Sequence, residues 1–411
     1  MDENAVVRVV GIVLALLVYW AAPTSAQQGG PAQENDEYDV ADLIRDWRHK
    51  PPPAADPPGK RMIVAAPIIG SNPSAGFTMG VAAQVAVFRG PPSTTRISSG
   101  IASLAISTKK QILFNARFDS FSDGNRWFIE GDNRFQRTSQ NIYGFGTSTP
   151  PSSALSTDYT FVRLHETGYR QVARDFYVGG GFLFDSHTSV EPADTSNPNW
   201  SSSPYIVYSQ QHGLPTDAQQ SAGVSVNLLL NRRDDDINAR RGWAATGRYR
   251  VSFNGFLGGD SSWQEFQADA RAYLPLDSRA RHRLAFWTYT SLVTSGVAPY
   301  FDTPATVMDT YGRSGRAYQE GRYRGEKLIY GEVEYRAPLM SNGLLGMVAF
   351  ANMTTVSDSQ TGETLFDSLA PAFGGGLRLL LNKRSKTNLC VDFAWGKAES
   401  KGVYLAIQES F

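Results

Sequence analysis

The feature that most constrains the fold is a period-two alternation of apolar and polar residues, which recurs from Arg61 to the C-terminus. Segments of roughly ten to fourteen residues show this alternation, and turn-forming residues separate them. In KQILFNARFDSF, for example, Ile112 and Phe114 fall on one face and Asn115 falls on the other. Because successive side chains of a strand point to opposite faces, the pattern predicts amphipathic β-strands and an all-β fold.

The strand lengths and the order of the loops predict which solvent the apolar face meets. Strands of this length cross a bilayer at a tilt, and long loops alternate with short turns, which is typical of outer-membrane barrels. Long loops are expected on one side at residues 137–156, 188–219, 255–261, 294–325 and 357–370, and short turns on the other near 89–94, 120–124, 277–280 and 339–342. We therefore predict a transmembrane antiparallel β-barrel of about 16 strands over residues 61–411.

Aromatic residues near the predicted strand ends also favour a membrane barrel. We expect them to form girdles at the two bilayer interfaces, where amphipathic rings are stabilised. The residues in question are Trp127, Phe128, Tyr159, Phe161, Trp263 and Trp395.

The last ten residues, GVYLAIQESF, continue the alternation and end in an aromatic residue. A final strand that ends in Phe411 resembles the insertion signal that the barrel assembly machinery recognises during biogenesis. In this register Glu409 is expected on the outward face, near the strand end, where a charge costs less than at the bilayer centre.

The N-terminus is expected to be removed on export. Residues 1–26 contain a long apolar run followed by small residues, which predicts a signal peptide cleaved after Ala26. Because acidic residues precede the single Arg8, an uncleaved anchor is the alternative. Residues 27–60 are rich in proline and predict a flexible periplasmic leader, with one short amphipathic turn at 39–50.

Composition and motifs exclude several classes of function. The chain has 39 basic and 39 acidic residues, whereas a nucleic-acid-binding protein usually carries a basic excess. The single cysteine, Cys390, excludes an internal disulfide, and the five histidines lack metal-ligand spacing. No nucleophile elbow or phosphate-binding loop occurs. We therefore expect no enzyme activity, catalytic residue, cofactor, metal or nucleic-acid partner.

The stretch GRSGRAYQEGRYRGEKLIYGEVEYRAPL, residues 312–339, resembles the bacterial surface antigen family of the Omp85 superfamily. Gly315-Arg316-Ala317-Tyr318 is similar to the family tetrad (Val/Leu)-Arg-Gly-(Phe/Tyr), and residues 334–338 are similar to its downstream strand motif. Residues 231–243, NRRDDDINARRGW, are similar to a family turn. The tetrad departs from the family at positions 315 and 317. The resemblance implies a 16-stranded barrel whose loop after the eleventh strand folds into the lumen. As a departure from the family, this chain is expected to be a short form without the N-terminal periplasmic modules.

The resemblance and the strand pattern together predict a loop lock. Residues 326–338 place Glu334 on a charged face that must point into the lumen, because a carboxylate facing lipid is costly. Arg316 and Tyr318 of the inward loop are expected there, with Arg316 pairing with Glu334 and Asn352 accepting a further hydrogen bond. The alternative is that Arg316 is one of several solvated loop arginines.

These expectations define a function at the outer membrane of a Gram-negative bacterium. By resemblance, the barrel takes part in inserting or translocating protein or lipid, with the seam between the first and last strands as a lateral gate. A passive porin-like channel for small solutes is the alternative. The expected partners are outer-membrane lipids, the barrel assembly machinery, and either a periplasmic protein or a second copy of the chain.

Overall fold

A computed structural model describes residues 37–50, 61–72 and 76–411. Within them every strand pairs antiparallel with the next in sequence, and one sheet of 16 strands results, as predicted. The strands are β1 Met62–Asn72, β2 Gly76–Phe88, β3 Ile97–Ser107, β4 Ile112–Phe121, β5 Trp127–Ile142, β6 Leu155–Ala173, β7 Phe176–Pro192, β8 Ala218–Asn231, β9 Gly242–Ser252, β10 Trp263–Pro275, β11 Arg283–Gly296, β12 Lys327–Pro338, β13 Leu345–Val356, β14 Ala370–Asn382, β15 Thr387–Gly396 and β16 Lys401–Ile407.

In the part of the chain that the structure describes, two α-helices and several short 3-10 turns lie outside the sheet. Helix α1 is Val40–Trp47 and helix α2 is Pro204–Gln211. The 3-10 turns are Asp123–Asn125, Pro151–Ser153, Trp200–Ser202, Phe256–Gly258 and Tyr300–Asp302. Among the described residues, neither helix is long and apolar enough to cross a membrane.

The predicted signal peptide, residues 1–26, and most of the leader lie outside the described residues. Residues 37–50 of the leader, expected to be flexible, are held on the barrel instead, and α1 forms where the sequence shows an amphipathic turn. Asp39 and Asp42 each accept a hydrogen bond from the other's backbone N–H, a capping box that satisfies the first turn of the helix. Asp42 also binds the Lys383 ammonium, which fixes the helix to the barrel.

The barrel wall has an apolar outer face and a polar inner face. Along β8, Val224, Val226 and Leu228 are exposed, whereas the alternating Ser225 and Asn227 are buried. No second protein layer covers the apolar side chains of β8 in the described part of the chain. An apolar exterior around a polar interior is the arrangement that lipid requires of a spanning barrel.

The aromatic girdle is smaller than predicted. Trp127 and Trp395 face outward, but Trp263 points into the lumen and donates through Nε1 to the Ser221 hydroxyl. Its ring also contacts the Arg250 guanidinium at 4.7 Å. Tyr159, Phe161 and Phe128 are buried as well. Alternation separates the residues of a strand into two faces, but it does not show whether an aromatic residue near a strand end lies on the outward or the inward face.

The long loops lie together on the side where odd-numbered strands lead into even-numbered ones, as the sequence predicts. Their aromatic residues close this mouth of the barrel. Tyr205 of α2 packs edge-on against Tyr300 with ring centres 5.6 Å apart, and Tyr208 donates to the Ala298 carbonyl at 2.9 Å. Arg324 is buried beneath them and donates to the Tyr300 carbonyl at 2.6 Å. The extracellular mouth is therefore covered.

The barrel is nearly closed. In the described residues no hydrogen-bonded ladder joins β1 to β16, although every other pair of neighbouring strands has one. Inner-face contacts bridge the seam instead, since Ile407 packs in one cluster with Ala66 and Ala82. The seam is thus held by side-chain packing, and the facing strand edges remain unpaired.

Candidate functional site

The loop of residues 297–326 enters the lumen and places Arg316 against the inner wall. The Arg316 guanidinium binds Glu332, reaches Glu334 at 2.5 Å and binds Asp392 through Nη1 at 2.9 Å. It also lies over the Phe350 ring, with Cζ 3.5 Å from the ring centre. Arg316 is only 3% exposed, so the predicted meeting with Glu334 occurs away from bulk water.

The carboxylates around Arg316 have further cationic partners. Arg336 binds Glu334 at 2.5 Å, and Arg378 binds Asp392 at 2.5 Å and Glu409 at 2.7 Å. Three guanidinium groups thus share four carboxylates: Arg316, Arg336 and Arg378 with Glu332, Glu334, Asp392 and Glu409. Removing Arg316 would leave Glu332 without its salt-bridge partner, and removing Arg378 would leave Glu409 without one, so the network is costly to break at either position.

The backbone of the tetrad is held by residues of β13 and β16 and of the connection between β15 and β16. The Asn352 amide donates to the Arg316 carbonyl at 3.2 Å. The hydrogen bond expected of Asn352 therefore exists in the reverse direction, because the side chain meets the backbone of Arg316 and not its guanidinium. Tyr404 accepts from the Ala317 N–H at 2.8 Å, and Ser400 donates to the Ala317 carbonyl at 2.6 Å.

Ala317 adopts a left-handed backbone conformation, with φ of 93°. Residues other than glycine rarely take such a φ, because Cβ then crowds the backbone. The family tetrad has glycine at this position. The sequence departure at residue 317 therefore stores backbone strain at the centre of the site.

Tyr318 anchors the end of the tetrad on the sheet. Its hydroxyl donates to the Pro371 carbonyl at 2.6 Å and accepts from the Lys397 N–H at 2.9 Å. Its ring packs edge-on against Tyr323 at 4.9 Å. Tyr318 thus joins the loop to β14 and to the connection between β15 and β16.

The same loop also reaches the opposite wall of the barrel. The Thr310 carbonyl accepts from Arg117 of β4 at 2.8 Å and from Arg134 of β5 at 2.9 Å. In a 16-stranded barrel these strands lie across the lumen from β12 and β13. The loop therefore spans the interior from one wall to the other.

The C-terminal residues turn into the lumen, contrary to the outward register predicted for Glu409. Strand β16 ends at Ile407, and Glu409 binds Arg378 and accepts from the Asn388 amide at 2.7 Å. Burying this carboxylate beside a cation avoids the cost of exposing it to lipid. Phe411 follows it inward and packs against Trp287 with ring centres 5.4 Å apart.

Arg313 connects the loop to this C-terminal turn. Its guanidinium donates to the carbonyls of Gln408 at 3.0 Å and Ile407 at 3.1 Å, and also binds that of Glu409. The inward position of Phe411 leaves its role as an insertion signal a prediction about the unfolded chain.

Sequence reasoning assigned no role in the site to several of its members, among them Glu332, Asp392 and Tyr404. The alternation places Glu332 on the inner face of β12 with Glu334 but does not show that it binds Arg316. Asp392 and Tyr404 come from strands far along the chain, and only strand pairing brings them to the loop. The described residues hold no cluster of His, Cys, Asp or Glu that could bind a metal ion.

Comparison with known proteins decides the family. The model of the Omp85 superfamily domain matches residues 115–408. The chain belongs to the Omp85 superfamily. No curated protein matches it. Membership and the apolar-walled barrel identify an outer-membrane protein, as the sequence predicts.

Solved structures show the same fold in distant Omp85 proteins. BamA from Haemophilus ducreyi lacking POTRA domains 1–3 superposes with a TM-score of 0.52 at 14% identity, over 85% of this chain and 69% of that one. CdiB from Acinetobacter baumannii gives 0.54 at 11% identity, over 85% and 59%. CdiB from Escherichia coli gives 0.52 at 10% identity, over 87% and 63%. The chain thus spans less than two thirds of either CdiB chain.

Proposed function

We propose that this Omp85 barrel takes part in inserting or translocating protein or lipid at the outer membrane, without an enzymatic step. The observation that carries the proposal is the combination of a plugged lumen and an unpaired seam. The loop around Arg316 spans the interior, so the centre of the barrel is a poor route for solutes. Within the described sheet, β1 and β16 each have a hydrogen-bonded neighbour on one side only.

The unpaired edges supply the chemistry that an incoming strand needs. A strand edge carries free N–H and C=O groups that can pair with another chain, and such groups are costly in lipid until they are paired. A client strand could add to this edge by β-augmentation, with side-chain pockets giving a preference among clients. The loop lock would hold β12 to β16 in place while the seam separates, so that opening does not collapse the barrel.

An insertion assay tests the proposal. An unfolded outer-membrane barrel is added to liposomes with and without the purified protein, and its folding is followed by heat-modifiable gel mobility. We expect faster folding with the wild-type protein and loss of the acceleration with Arg316→Ala, whereas Arg174→Ala, at an exposed arginine, should leave it unchanged. Equal folding with and without the protein would remove the insertion role for barrel clients.

The passive porin-like channel is the weaker candidate. A porin needs a continuous aqueous lumen, whereas here the loop contacts both walls and the aromatic cluster around Tyr300 covers the extracellular mouth. Solute entry into liposomes would distinguish the two functions. Uptake of small sugars that does not depend on Arg316 would favour the porin.

A further inference from the structure

A basic cavity lies at the periplasmic mouth of the barrel, below the Arg316 network. It encloses about 80 Å³ and is bordered by the turns that join β8 to β9, β10 to β11, β12 to β13 and β14 to β15. Its lining includes two carboxylates, Glu37 and Glu409. The cations around it are Arg240, Arg281, Arg283, Arg336, Arg378 and Lys386.

Part of this positive charge has no anionic partner among the described residues. Arg283 is buried and donates through Nη2 to the neutral Asn238 amide oxygen at 2.7 Å, while its Nε meets no acceptor. Arg336 is buried too and pairs with Glu334, but its Nη1 meets no acceptor. Arg281 binds the Ser341 carbonyl at 2.6 Å and no carboxylate. A buried guanidinium without a counter-ion is expensive, so the cavity favours an added acidic group.

The leader already presents acidic residues to this mouth. Glu37 binds Arg240, and the Asp39 carboxylate accepts from the Lys383 backbone N–H at 2.9 Å. Asp42 receives the Lys383 ammonium at 2.7 Å. The Tyr38 N–H donates to the Asn342 carbonyl at 3.0 Å, so the segment crosses three periplasmic turns in succession.

Helix α1 docks through its charged side. Asp39 and Asp42 are each only 4% exposed, whereas Leu43, Ile44 and Trp47 are 47%, 45% and 77% exposed. An ordinary amphipathic helix buries its apolar stripe and exposes its acidic residues. Apolar packing therefore contributes little to docking here. The contacts are made by carboxylates, Glu37 with Arg240 in the cavity lining and Asp39 and Asp42 with Lys383 beside it.

We propose that the periplasmic mouth is a docking site for an acidic peptide segment of another protein, and that residues 37–50 occupy it in cis. The unpartnered Arg283 and Arg281 leave room for a ligand richer in carboxylates than the leader, which would displace it. Such a site would recruit a periplasmic partner to the barrel. The proposal does not require that the barrel inserts clients.

Displacement of the leader from the full-length protein tests this. A maleimide fluorophore is attached to Arg48→Cys at the exposed end of α1, since Cys390 is buried. A synthetic peptide of residues 37–50, EYDVADLIRDWRHK, is then added. We expect fluorescence anisotropy to fall as the peptide replaces the leader, and a peptide with Gln and Asn at its acidic positions to require at least tenfold higher concentration.

Charge exchange at one ion pair tests whether the contact is direct. Arg240→Glu should release the label without added peptide, and Glu37→Arg combined with Arg240→Glu should restore high anisotropy. Arg279→Glu, at an exposed arginine of the same mouth outside the cavity lining, is the matched control and should behave as wild type. If the double variant does not restore docking, the leader is not held by direct pairing of Glu37 with Arg240, and the proposal is overturned.

Two further outcomes would also overturn the proposal. If the neutral peptide displaces the leader as well as the acidic one, apolar contacts and not carboxylates drive docking. If inorganic phosphate displaces it as efficiently as the peptide, at an ionic strength matched with chloride, the cavity is a small-anion site and not a peptide site.

Discussion

Arg316, on a loop outside the sheet, donates through Nη1 to Asp392 of β15 at 2.9 Å. The same guanidinium binds Glu332 and Glu334 of β12, so one side chain ties together strands three apart in the barrel. Because these partners are buried, removing one of them costs more than breaking a surface ion pair, since the remaining charge is left uncompensated away from water.

Replacing Arg316 with alanine should destabilise the folded barrel by about 3–5 kcal/mol, because buried carboxylates lose their shared counter-charge. Semi-native gels would show a smaller fraction of the heat-modifiable form, and the loop of residues 297–326 would become sensitive to protease. Arg174→Ala is the control, since its side chain is almost fully exposed. Wild-type behaviour of the Arg316 variant would mean that the loop is held by other contacts.

Ala317→Gly should stabilise the protein by about 1 kcal/mol. Relief of the positive φ gains about 1–3 kcal/mol, and loss of one buried methyl group costs about 0.8 kcal/mol. The hydrogen bonds to Tyr404 and Ser400 involve only the backbone and should persist. The midpoint of urea unfolding measures the change, and a lower midpoint would show that the methyl contacts outweigh the strain.

The loop of residues 297–326, which contains Asp302, should become less stably packed as the pH rises. Burial and the neighbouring Asp185 raise the pKa of Asp302 to about 7, from 3.8 for a free aspartate. The contribution of this group to loop stability is therefore full below about pH 4 and is lost as the pH rises through about 7. Nearby Arg250 and Arg163 oppose the shift.

Proteolysis of the loop at pH 6 and pH 8.5 checks this expectation. Cleavage of the wild type should be faster at the higher pH, after correction for the protease's own pH profile. Asp302→Asn should abolish the difference, because the amide remains neutral and can still accept from the Ser221 hydroxyl. If Asp302→Asn keeps the full pH dependence of cleavage, another titratable group causes that dependence.

Arg313→Ala should free the C-terminal turn. The guanidinium holds three successive carbonyls, those of residues 407–409, and the Phe411 carbonyl accepts from Arg336. Loss of these bonds to Arg313 should let carboxypeptidase A remove Phe411 at least tenfold faster. Arg279→Ala, at an exposed turn, should leave the rate unchanged. An unchanged rate in the Arg313 variant would mean that the C-terminal residues are held by the contacts of Phe411 with Trp287 and Arg336 alone.

Much of the fold follows from the sequence because a spanning barrel repeats one local rule. Alternation sets the two faces of each strand, and loop length distinguishes the two sides, so 16 strands and a lumen-facing Glu334 could be predicted. The meeting of Arg316 with Glu334 followed from the family resemblance. Neither the alternation nor the resemblance indicates which group donates a hydrogen bond, and Asn352 donates where it was expected to accept.

The structure differs from the sequence-based predictions where a segment leaves the alternating pattern. Glu409 and Phe411 lie beyond the end of β16, and a buried cation at Arg378 attracts the carboxylate inward, a contact with no local sequence signal. The docking of α1 likewise has no local sequence signal. Its capping residues predict the helix, but its partner Lys383 lies far along the chain. Long-range ion pairs decide both positions.

Single-channel conductance in planar bilayers tests the central claim, that a loop fixed by Arg316 plugs the barrel. We expect small, flickering currents for the wild type and larger openings for Arg316→Ala in the fraction that folds, with Arg174→Ala behaving as wild type. A large, steady conductance in the wild type, unchanged by loss of the Arg316 side chain, would contradict it.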